Sequence, residues 1–141
     1  MKHNSWIHPL FAVTMLTAST LALAHHSFAM FDFDRTIDVR GTMRALEWQN
    51  PHSWIWVDVD KGDGQVESWG GEFAGGPSNL PREGFTRTTV QPGDEIIITL
   101  HPAKDGQKAG SVAKIVTVAD GKVVFVARSG PSATTAPAPA N

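Results

Sequence analysis

The sequence predicts an all-β domain on two observations. From Ile37 onward, runs rich in Val, Ile, Trp and Thr alternate apolar and polar residues with a period of two, and clusters of Gly, Pro, Asn and Asp separate those runs. The strands fall at approximately Ile37–Trp48, Trp54–Asp60, Val66–Phe73, Glu95–His101, Ser111–Val118 and Lys122–Arg128.

Alternation assigns the faces. In the second run Ile55, Val57 and Val59 point one way, and Trp54, Trp56 and Asp58 the other. In the fourth, Ile96, Ile98 and Leu100 point inward, leaving Glu95, Ile97, Thr99 and His101 on the outer side. Together with Val39, the inward set is the expected core. Lys61-Gly62-Asp63-Gly64, Lys104-Asp105-Gly106 and Asp120-Gly121 each supply a residue tolerant of positive φ, so each reads as a hairpin. Between Gly75 and Gly93 the rhythm breaks at Pro77, Pro81 and Pro92. That stretch reads as a long connector with a short helical turn around Ser78–Glu83, anchored by Leu80 and Phe85. Three strands, a connector and further strands make the order of a small five- to six-stranded OB-like barrel. A β-sandwich is the alternative, because strand count and spacing do not separate the two.

The ends of the chain differ from this domain. Lys2 precedes an apolar run from Leu10 to Leu23 that closes on Ala22-Leu23-Ala24, the small-x-small pattern of a signal-peptidase site. Residues 1–24 therefore read as a signal peptide, residues 25–128 as a single barrel-like domain, and residues 129–141 as a disordered Pro/Ala-rich tail. A cut after Ala29 is the competing possibility and would remove both His25 and His26. The apolar run is too short and too interrupted by Thr and Ser for a permanent membrane anchor. The expected location is periplasmic or secreted.

Composition narrows the partners. With no cysteine, the chain has neither a disulfide nor a lipid-bearing thiol, and the core holds without covalent staples. Its 12 Lys+Arg against 14 Asp+Glu give a net charge of −2, and loss of Lys2 makes the mature form slightly more acidic. Such a surface argues against a nucleic-acid partner.

Histidines carry the strongest chemical suggestion. Cleavage after Ala24 exposes the α-amine of His25, which can close a chelate ring with that residue's own Nδ1. A third nitrogen from elsewhere in the chain completes a T-shaped donor set suited to Cu(II). His52, presented at a strand end by Asn50-Pro51, is the first choice for that third ligand, and His101 the second. His26 is an alternative ligand through a deprotonated backbone amide. The competing account is a frayed terminus and two turn histidines bonded to nearby backbone.

Trp54, Trp56 and Trp69 suggest a different function, a metal-free module that binds a small ligand or protein through aromatic rings, against which stands simple packing. Asp58, Asp60 and Asp63 fail the spacing of a calcium loop, since Gly62 and Asp63 stand where an acid and a glycine are needed. No Gly-x-Ser-x-Gly nucleophile or phosphate-binding glycine loop is present, so little favours an enzyme.

These motifs resemble a family of small exported proteobacterial proteins catalogued as a domain of unknown function. The likeness rests on His25-His26-Ser27-Phe28-Ala29-Met30-Phe31-Asp32, Trp48-Gln49-Asn50-Pro51-His52-Ser53-Trp54, Trp69 with Glu72, Pro92-Gly93-Asp94 and Lys104-Asp105-Gly106. It implies export and one barrel-like domain, and it brings no activity. Phe85, where the family more often shows Trp, and the pairs Gly70-Gly71 and Gly75-Gly76 depart from its pattern. The leading expectation is a periplasmic metal-binding protein with copper as its cofactor; the alternative is the tryptophan-based binding module.

Overall fold

Residues 29–128 are described by the computed structural model, and the alternating runs form strands in the expected order. They are β1 (Ile37–Glu47), β2 (Trp54–Gly62), β3 (Gln65–Glu72), β4 (Glu95–Pro102), β5 (Ala109–Thr117) and β6 (Val123–Val126), with a 3-10 turn at Leu80–Glu83. The sheet order is β3-β2-β1-β4-β5-β6, and a parallel pairing of β3 with β5 closes five strands into a barrel. The sixth, β6, adds to β5 outside the closed ring. This is the small OB-like barrel that the strand order predicted.

Closure requires β1 to serve two neighbours. Its first half pairs with β4, from Ile37↔Leu100 to Thr42↔Glu95, and its second half with β2, from Thr42↔Asp58 to Glu47↔Trp54. Gly41 stands at the changeover. A Cβ there would lie 2.4 Å from the Asp58 carbonyl oxygen and 2.8 Å from Val57 Cγ1, so only glycine lets the strands approach this closely.

The expected core residues are buried. Val39, Ile55, Val57, Ile96, Ile98 and Leu100 line the interior, joined by Met43, Val112 and Ile115. Val59 is the exception: it is half-buried because the β2–β3 hairpin runs on past the barrel wall. The connector anchors are buried as predicted, and Phe85 packs edge-on to Phe125 and tilted against Phe73 at a centroid distance of 4.9 Å. Pro81 stands second in the short 3-10 turn, within its first turn, where its missing N–H costs nothing.

Several boundaries differ from the sequence reading. Strand β1 ends at Glu47, and Trp48 leaves the ladder to stack on Phe85. Strand β5 begins two residues early, at Ala109, because Ala109, Gly110 and Ser111 are the residues that pair with β3. Strand β6 is shorter than expected, spanning only Val123–Val126. The β2–β3 tip turns through Gly62, Asp63 and Gly64, all at positive φ.

Candidate functional site

Three residues form the set of buried polar side chains among the described residues: Ser53, Glu72 and Ser111. Register brings two of them together. Glu72 ends β3, opposite Trp54 on one side and Ser111 on the other, and Ser111 in turn opposes His101 on β4. Directly opposed residues share a face, so Trp54, Glu72, Ser111 and His101 form one row across the outside of the barrel.

His52 joins this row from the turn before β2. Its Nδ1 meets Glu72 Oε1, with side chains only 13% and 6% exposed. A carboxylate accepts and does not donate, so neutral His52 carries its proton on Nδ1 and its lone pair on Nε2. Metal-ligating imidazoles are commonly fixed by such a partner, which sets tautomer and ring orientation.

The turn that presents His52 is clamped to the connector. Asn50–Pro51 is a cis peptide, the Ser53 amide donates to the Gly75 carbonyl, and the Phe73 amide donates to the Ser53 carbonyl. A Cβ on Gly76 would come 2.8 Å from both the Asn50 side-chain oxygen and the Pro51 carbonyl. The connector glycine is thus what allows the His52 turn to seat.

His101 is held differently. Its Nδ1 donates to the Arg35 carbonyl at 3.0 Å, and its ring packs against Phe33 at a centroid distance of 4.8 Å. This contact also leaves Nε2 as the lone-pair nitrogen of the neutral ring. Strand β5 separates Glu72 from His101, placing their Cα atoms about 10 Å apart by ordinary strand spacing. The described residues contain no group of three or more His, Asp or Glu side chains arranged to hold a metal ion. His25 and His26 lie outside the described residues.

The segment that follows those two residues is pinned to the barrel. Phe31 is buried and bridges Ala103, the Asp32 amide donates to the Pro102 carbonyl, and the Lys104 amide donates to the Met30 carbonyl. Lys104 Nζ donates to the Ala29 carbonyl. The aromatic residues Phe31 and Phe33 thus tie this segment to the barrel beside β4.

The tryptophans divide between two faces. Trp54 and Trp56 project outward and lie nearly parallel, with ring centroids 5.8 Å apart and planes inclined by 19°. Trp69 opposes Val57, a core residue, and therefore lies on the inner side of the sheet. There its Nε1 donates to Glu67, which holds that carboxyl below its ordinary range, and Lys108 lies 5.0 Å from its ring. A single surface containing all three rings does not exist.

Glu72 was not among the site residues expected from sequence. The available signal was a lone carboxylate between Gly70-Gly71 and Phe73, where a strand otherwise turns inward.

Fold and site together define a small OB-like barrel with a buried histidine–glutamate pair beside its β3–β5 closure. The chain belongs to a family of unknown function (DUF6152), whose model matches residues 13–113. No curated protein matches it. Among solved structures it is similar to Rim1, a mitochondrial single-stranded DNA-binding protein from S. cerevisiae. The two are 12% identical with a TM-score of 0.46 over 60% of this chain and 93% of that chain.

Proposed function

We propose that this protein is exported and, once its signal peptide is removed, binds one Cu(II) ion. The α-amine and Nδ1 of His25 form a chelate, and Nε2 of His52 supplies a third nitrogen. The observation that supports this reading is the His52–Glu72 contact: a largely buried carboxylate holds the imidazole through Nδ1, the arrangement that commonly orients metal-ligating histidines. A nitrogen-rich donor set of this kind favours Cu(II) over other divalent ions. His101, fixed through the Arg35 carbonyl one strand beyond Ser111, is the second choice for the third ligand, and His26 offers a further nitrogen.

The test exploits the amine. Protein beginning at His25 should bind one Cu(II) in a calorimetric titration, while protein carrying one extra residue ahead of His25 should bind at least about tenfold more weakly. The extension keeps every imidazole and converts the amine to an amide. Because the ligand nitrogens must shed their protons, affinity should also fall on acidification. Equal affinities with and without the extra residue, or binding by neither, would overturn the reading.

A further inference from the structure

We propose that the outward face of β2, from Trp54 to Asp60, is a binding strip for an uncharged oligosaccharide. This surface adjoins the His52–Glu72 pair, since Trp54 opposes Glu72, but it does not depend on the copper reading. Trp54, Trp56, Asp58 and Asp60 occupy alternate positions of one strand, so their side chains leave the same face over a length of about 20 Å.

One end of the strip is aromatic. The two indole rings lie against the backbone of Gly70, where a Cβ would come 2.9 Å from Trp56 and 3.2 Å from Trp54. Trp56 Nε1 donates to Glu47 at 2.7 Å, and the Arg44 guanidinium sits 5.6 Å from the ring centre. Held by Glu47, Arg44 and Trp54, Trp56 is fixed in orientation, and the partly exposed indole pair leaves its remaining ring surface at this end of the strip, which suits the apolar C–H side of a sugar ring.

The other end is polar. A groove of about 430 Å³ opens beside β2, lined by Arg40, Thr42, Asp58, Asp60, Val66 and Glu95 among others. Arg40 pairs with Glu95 at 2.8 Å and Arg44 with Asp58 at 3.2 Å, and each arginine side chain is about half exposed or more. Such pairs place donors beside acceptors, and a hydroxyl group, which both donates and accepts, can use both.

Charge selects among ligands. The strip carries Glu47, Asp58, Asp60 and Glu95 against Arg40 and Arg44, so it is net negative even before Glu72 is counted. A polyanion such as single-stranded nucleic acid meets repulsion there, whereas a neutral hydroxyl-rich chain does not.

The mature chain, with a chelator present to exclude metal, would be titrated calorimetrically with maltohexaose, cellohexaose, chitohexaose and an oligothymidylate. At least one of the three sugars should bind, and the oligothymidylate should not. Trp56→Ala should weaken sugar binding about tenfold or more, the scale of losing an aromatic anchor. Asp58→Asn, at a solvent-facing position, should weaken it about threefold or more with the fold intact, and it carries the test if Trp56→Ala does not fold. Binding of none of the sugars, binding of the oligothymidylate alone, or unchanged affinity in Asp58→Asn would overturn the proposal.

Discussion

Two polar pairs on the same barrel face differ in what surrounds them. His52 and Glu72 meet where the β1–β2 turn is bonded to the connector, and little of either side chain reaches solvent. Arg40 and Glu95 meet at the far end of the same face with side chains 62% and 51% exposed. Coulomb attraction between exposed groups is screened by water and salt, so the second pair holds little in place. The first sits in a lower dielectric, where a lost partner leaves a desolvated group uncompensated. The lesson is that distance alone does not rank polar contacts; burial decides which of them fixes geometry.

The largest effect should come from breaking the buried pair. His52→Ala should lower stability by about 3 to 5 kcal/mol in a urea denaturation experiment, because Glu72 is left buried without its partner. His52→Gln, whose amide can still donate to Glu72, should cost much less. Equal losses in the two variants would show that the pair is not what holds the turn. At the other end of the comparison, Arg40→Ala should cost less than about 1 kcal/mol by the same measurement. A loss as large as that of His52→Ala would erase the distinction between the two regions.

Strand positions and faces were legible because alternation is a local signal. Ile55 and Val57, or Ile96, Ile98 and Leu100, announce their side within a few residues, and all five are buried. What alternation does not encode is the partner strand. The closure of β3 on β5 joins Gly70 to Ala109, and nothing near either residue points to the other. The site was hidden for the same reason. His52 was legible as a presented histidine, but its partner Glu72 stands twenty residues away on another strand.

The unusual glycine pairs follow from the same long-range geometry. Gly71 faces the core, where a Cβ would come 2.7 Å from Val112 and 2.9 Å from Ile55. Gly70 lies under the tryptophan pair, and Gly76 under the His52 turn. Each fills a space defined by residues distant in the chain, so each looked like a departure in the sequence and is a packing requirement in the fold.

Glu72→Gln asks whether the carboxylate beside His52 matters to the proposed copper site. The substitution keeps shape and hydrogen-bonding capacity but removes the acceptor-only carboxylate that sets the tautomer of His52. In protein beginning at His25, Cu(II) affinity measured by calorimetry should fall about 10- to 100-fold. An affinity unchanged from wild type, with the fold intact by circular dichroism, would contradict a role for Glu72 in positioning His52.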